Sequence, residues 1–147
     1  MDLSSLLMQA LNGFASTSSL FLVAAGLSLI FGVTHIVNFA HGSFFMVGMY
    51  IAYSLLDRFG AGVWFWPAMA LAAVLVGVLG ALVEVVLLRR IYGAPDLLQL
   101  LATFALMLVI KDAALWIWGP VELLGPLPPG LAGSVLILNR KFPTYDL

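Results

Sequence analysis

The 147-residue chain is 63% hydrophobic and 9% charged, with a mean hydropathy of +1.13, whereas an average soluble domain carries roughly 25% charged residues. A net charge of -1 with scattered basic residues leaves no electrostatic footprint for nucleic acid, which excludes that partner class. With no cysteine there is no disulfide framework, thiolate metal site or cysteine nucleophile; the composition is that of a multi-pass integral membrane protein.

The first residues, Met1-Asp2-Leu3-Ser4-Ser5, lack the basic region of a secretory signal, and the apolar run that follows outlasts a signal core of about 7–15 residues. The first helix therefore reads as a retained span. Asp2 is no myristoylation glycine and the terminal Thr144-Tyr145-Asp146-Leu147 holds no cysteine, so no lipid anchor is expected. A spanning helix needs about 20 mainly apolar residues, which divides a transmembrane region 1–118 into four candidate spans, 6–31, 40–56, 64–88 and 97–118. The expected fold is all-α, a multi-pass transmembrane helix bundle with a broken or re-entrant segment near residues 33–42.

From Leu3 to Leu56 there is no Lys, Arg, Asp or Glu. In the first span Ala25, Ser28 and Gly32 fall at i, i+3 and i+7, a small-residue stripe of the kind that lets helix backbones approach in lipid. The polar pentapeptide Asn38-Phe39-Ala40-His41-Gly42 then interrupts the apolar sequence. Irregular backbone within a bilayer persists only where it is packed in protein or lines a cavity. The next span is short, about 17 residues, and starts inside this stretch, as discontinuous helices do whose ends face a substrate near the midplane. His35, Asn38 and Gly42 share one face if the segment is helical, with His41 pointing elsewhere. These four are the candidate translocation-path or kink residues. They either line and gate the path or fix a kink through interhelical hydrogen bonds worth about 0.6–2 kcal/mol each, and the two roles are compatible.

Asp57-Arg58-Phe59-Gly60 closes the second span in a polar turn, and Trp64-Phe65-Trp66-Pro67 reads as an interfacial aromatic anchor with proline in the first helical turn. Along the third span Gly77, Gly80, Ala81 and Glu84 share a face, which puts the carboxylate on the helix-facing side, close enough to Arg89 to pair with a base at the interface. Arg89-Arg90 ends this span and Gly93-Ala94-Pro95 stops it. In the fourth span Lys111 and Asp112 diverge by about 100° and form no intrahelical salt bridge; Lys111 snorkels to the interface or meets a partner on another helix. Glu84, Lys111 and Asp112 are thus candidate intramembrane polar contacts. Residues 119–147 change to Gly/Pro punctuation around the run Ser134 to Leu138, an extramembrane loop with a short β-hairpin.

Two catalytic readings fail on pattern. His35 and His41 are six residues apart with no nearby acid, which does not make a metal site, and Ser43 lacks the Gly-x-Ser-x-Gly context of a nucleophile. No catalytic, cofactor or metal residue is expected. No Walker A pattern occurs, so the sequence carries no P-loop for ATP.

The runs Asn12-Gly13, Ala25-Gly26-Leu27-Ser28-Leu29-Ile30-Phe31-Gly32-Val33 and Val37-Asn38-Phe39-Ala40-His41-Gly42 resemble the N-terminal half of the permease subunits of branched-chain amino-acid ABC importers, and Glu84 to Pro95 is similar to that family's basic loop. The resemblance implies import of branched-chain or similar small amino acids across the bacterial inner membrane, with a second permease subunit, two cytoplasmic ATPase subunits, a periplasmic solute-binding protein and membrane lipid as partners. It also implies a cytoplasmic Arg89-Arg90 loop, which places 119–147 in the periplasm. Charge counting alone does not fix this, since that orientation leaves Arg58, Arg140 and Lys141 outside. The similar permeases are about twice as long. The expectation is that the C-terminal half, with its coupling helix for the ATPase, is missing, and that the chain is a truncated product or a fragment unable to couple transport to ATP hydrolysis alone. Other classes compatible with the sequence are a stand-alone small secondary transporter or channel, with a coupling ion at the polar stretch, and a non-transporting structural membrane subunit.

Overall fold

The computed structural model describes residues 3–60, 62–121, 123, 125–130, 133–137 and 140–143. Helix α1, Leu3–Thr34, is followed by a non-helical link and α2, His41–Phe59. Helix α3, Phe65–Val83, passes through a π turn, Glu84–Leu88, into a short α4, Arg89–Ile91, so that 65–91 is one continuous rod. Helix α5 is Asp96–Trp118, and strands β1, Ser134–Ile137, and β2, Arg140–Pro143, pair antiparallel in the register Ser134↔Pro143 to Ile137↔Arg140. The multi-pass all-helical bundle and the break near 33–42 are as the sequence indicates, and the hairpin lies beyond the last helix.

Helix ends follow local chemistry. Gly60 and Gly119 take φ of 82° and 79° and return their N–H groups to Leu56 O and Leu115 O, closing α2 and α5. Pro67 sits in the first turn of α3, where a missing N–H breaks no bond. Thus α2 runs through Asp57 and Arg58, beyond the expected boundary at 56, before Gly60 stops it. In the π turn the Arg89 N–H reaches back five residues to Glu84 O, a feature the hydrophobic pattern does not signal.

Among the described residues three helical stretches are long and apolar enough to cross a membrane, Gln9–Thr34, Phe65–Ile91 and Asp96–Trp118. Helix α2, which holds the second expected span, is not among them. It carries Ser43, Tyr50, Tyr53, Ser54, Asp57 and Arg58, and it lies at the centre of the contacts, packed on α3 and α5. Leu56, Phe65 and Ala68 form the buried cluster between α2 and α3, with Leu55 and Met69 against it. Val76 of α3 lies over Gly48 of α2, where a Cβ would stand 3.5 Å from Val76 Cγ2, ordinary contact. At one end of the bundle Tyr50 stacks on Trp118 at 5.0 Å and Trp118 Nε1 donates to Ser54 Oγ at 2.8 Å, tying α2 to α5. Helix α1 stands apart: no described residue of it is buried, and its contacts, with α2, are sparse.

Candidate functional site

The link between α1 and α2 begins at Thr34, whose Oγ1 donates to Ile30 O at 2.9 Å and accepts the Ile36 N–H at 3.3 Å. His35 N–H bonds Phe31 O, and His35 then turns to φ 55°. A left-handed residue after a helix is usually glycine or asparagine; a histidine there stores about 1–2 kcal/mol of strain. From this point burial alternates strictly. Ile36, Asn38 and Ala40 are buried while His35, Val37 and Phe39 are exposed, every second residue inside, on a backbone that starts left-handed at His35 and ends in a turn at Phe39–Ala40, with Ala40 in helical φ/ψ.

That alternation corrects the helical arrangement of the sequence reading, in which His35, Asn38 and Gly42 shared a face. His35 is exposed, edge-on to Phe31 at 6.4 Å, and apart from the others. Asn38 points inward, where its Oδ1 accepts the Ala40 N–H at 3.0 Å and its own carbonyl accepts the His41 N–H at 3.1 Å. The side chain thus replaces a backbone partner at the turn into α2. Gly42, in the first turn of α2, has open space where a Cβ would be.

His41 opens α2 and reaches across to α1, where its Nε2 lies 3.2 Å from Val23 O. A carbonyl only accepts, so this ring nitrogen carries the proton. A Cβ on Gly26 would stand 3.1 Å from both Cε1 and Nε2 of the ring, closer than side chains normally sit, so glycine is what admits the imidazole. His41 therefore does have a partner face, one the spacing could not reveal because the acceptor is a backbone carbonyl 18 residues upstream.

The link is held from its other side by α5. Thr103, fully buried, has its hydroxyl 3.3 Å from Val37 O and 3.1 Å from Leu100 O, and Phe39 meets Phe104 edge-on at 6.5 Å. Gln99, one turn earlier, donates to Tyr92 O and Ala94 O, at 3.3 and 2.8 Å, and fixes the turn before α5. Beside His41 a cleft of about 780 Å³ opens between α1, α2 and α3, with Val23, Gly26, Phe45, Met49 and Tyr53 among its lining. Its size suits a small molecule and its walls are mostly apolar.

The remaining polar residues lie elsewhere. Glu84, half-buried in the π turn, accepts a hydrogen bond from the Tyr92 hydroxyl rather than pairing with a base. Desolvation first, then the bond to Glu84 and its charge, push the Tyr92 phenol up to about 12, with Arg89 opposing. Lys111 and Asp112 are exposed on the outer face of α5. Of the expected packing stripe, Ala25, Ser28 and Gly32 are all exposed, because α1 meets α2 through Val23 and Gly26 instead. On α3, Gly77 and Ala81 face outward for the same reason: the helix packs through Phe65, Ala68 and Ala72. Among the described residues no group of three or more His, Cys, Asp or Glu stands together as metal ligands would.

Comparison with known proteins places these elements. The family of branched-chain amino acid transport system permease components matches residues 9–126. Over 115 residues, 74% of this chain and 38% of the relative, the chain is 29% identical to the high-affinity branched-chain amino acid transport system permease protein BraD of Pseudomonas aeruginosa. It is 34% identical over 92 residues to the probable branched-chain amino acid transport permease protein LivH of Methanocaldococcus jannaschii, covering 62% of this chain and 29% of that one. With LivH of Escherichia coli K12 the identity is 34% over 50 residues, 34% of this chain and 16% of the relative. The chain thus spans well under half the length of these relatives in each match, and no solved structure matches it. With a multi-pass helical fold and a family match that takes in α1 through α5, the chain belongs to the permease components of branched-chain amino acid transport systems.

Proposed function

We propose that the chain acts as a permease subunit of an ATP-binding-cassette importer that moves branched-chain or similar small amino acids into the cell across the bacterial inner membrane. The observation that carries this reading is the non-helical link 35–40, held on α5 through Val37 O and leading into His41, which reaches α1 beside the apolar cleft. Backbone of this kind at membrane depth is tolerated where it is packed in protein or lines a cavity. Asn38 and His41 set the path of the link, and Gly42 leaves the first turn of α2 open, so that its N–H groups and dipole favour an amino-acid carboxylate. The cleft supplies an apolar wall for an aliphatic side chain. ATP hydrolysis belongs to two cytoplasmic partner subunits, with a second permease subunit and a periplasmic binding protein completing the assembly. In this scheme the Arg89-Arg90 turn faces the cytoplasm and residues 119–147 the periplasm, while Glu84, Lys111 and Asp112 make polar contacts within the assembled membrane domain.

Uptake of radiolabelled leucine by cells carrying the whole importer tests it. Asn38→Ala and His41→Ala are each expected to lower uptake while the subunits still co-purify, and normal uptake in both would remove the link from the path. Uptake should fall when ATP is depleted and survive collapse of the ion gradients by an ionophore. The reverse pattern would make the protein a secondary transporter.

A further inference from the structure

One face of α1 is polar in its first half and is the face that meets α2 in its second half. Gln9, Asn12, Ser16, Ser19, Val23 and Gly26 follow at spacings of three, four, three, four and three, within about 50° of a single line along a helix turning 100° per residue. Two members of this row are placed by direct contact: Val23 O receives the His41 imidazole, and Gly26 makes room for that ring. Farther along the same face Ile30 is half-buried. The direction of the row is therefore inward, toward the cleft of which Val23 and Gly26 form part.

The polar groups of α1 are sorted by face. Thr17 and Ser18, on the other side, turn their hydroxyls onto Gly13 O at 2.7 Å and Phe14 O at 2.9 Å, within their own helix. Such hydroxyls tolerate hydrocarbon. A carboxamide does not: Gln9 opens the apolar stretch Gln9–Thr34, but Asn12, a turn inside it, brings two N–H donors and a carbonyl acceptor, more than a neighbouring helical turn can satisfy, and an unmet amide in an apolar medium costs several kcal/mol. All four polar members of the row are exposed in the folded chain.

We propose that the Gln9–Asn12–Ser16–Ser19 face of α1 lines a water-filled path that carries a small zwitterionic solute along α1 to His41. From Gln9 to Val23 is 14 residues, about 21 Å of helix at 1.5 Å each. The path has unlike walls, amide and hydroxyl groups on α1 against the apolar side of the cleft at Phe45 and Met49. An amino acid with an aliphatic side chain presents the matching pair of surfaces. This inference rests on the permease reading for its solute, but not for its water.

The chain has no cysteine of its own, so single thiols can be placed in it within the assembled importer, with the labelling of the unsubstituted importer subtracted. Asn12→Cys, Ser16→Cys and Ser19→Cys are compared with Phe14→Cys and Phe21→Cys, using a charged, membrane-impermeant methanethiosulfonate on intact membranes. A thiol in hydrocarbon stays protonated while one in water ionises, so the first three are expected to react at least about tenfold faster. Added leucine should slow them. Equal rates in both sets, or an unreactive inward set in an importer that still takes up leucine, would mean that another helix covers this face and would overturn the proposal. Fast inward labelling that leucine does not slow, in membranes without leucine uptake, would leave the hydrated path standing and remove the amino-acid reading.

Discussion

Gly26 and His41 account for each other. The ring lies where an alanine Cβ would intrude, and its N–H bond to Val23 O joins two helices that otherwise touch little. Gly26→Ala gains about 1 kcal/mol of helix propensity but must displace the imidazole, and overpacking of this kind costs about 1–3 kcal/mol. The expected result is a lower midpoint of thermal unfolding in detergent for Gly26→Ala alone and no loss, or a gain, in the His41→Ala background. Additive effects in that double-mutant cycle would mean that ring and glycine do not meet. At Tyr92 the sign follows from the raised phenol. Its folded pKa of about 12 exceeds the unfolded value of about 10, so the stability it lends is present below pH 10 and disappears as pH rises toward 12. Ultraviolet titration, with Tyr92→Phe as the subtraction, should show one late phenolate, moved to lower pH by Glu84→Gln but not fully normalised, because desolvation is the larger cause.

At the scale of elements, the link depends on α5. Thr103→Val keeps the shape and removes a fully buried hydroxyl together with its hydrogen bond to Val37 O, at a cost of about 0.5–1.5 kcal/mol. Thr103→Ser should retain most of the stability, and a Thr103→Val protein as stable as wild type would remove the clamp from the account. These elements differ in how far the sequence discloses them. The helices and the break between the first two were legible because charge-free apolar runs and an Asn/Gly interruption are composition, visible without any partner. The period of the link was not: six residues are too few to separate a repeat of two from one of 3.6, and helical spacing put His35 with Asn38 when burial separates them. Nor were Thr103 and Gln99, since a single polar residue in an apolar helix announces no acceptor. The stripes at Ala25 and Gly77 marked small residues correctly, but helix-to-helix contact depends on which face the neighbour meets, and the neighbour came through Gly26 and Gly48.

For the whole molecule, the link, α2, α3 and α5 form one cross-bonded body, joined through Thr103, Trp118, Gln99 and the Leu56–Phe65 cluster, while α1 is fastened mainly at His41. Local stability follows buried contact, so amide exchange of the permease in lipid nanodiscs should be fastest in the first half of α1 and slowest in α2 and α3. Uniform protection across α1, α2 and α3 would show that partners outside this chain hold α1 as firmly as its own body holds the rest.

The alternation between Thr34 and His41 has a consequence for how such chains can vary. Ahead of the Asn38–His41 turn every second residue is inside, which carries a parity: losing or gaining one residue there would send Val37 inward and Ile36 and Asn38 outward, and would take the Asn38 side chain from the Ala40 N–H that starts the turn before His41. Length between Thr34 and Asn38 is therefore countable only in twos. Among related permeases, gaps here should be absent or even.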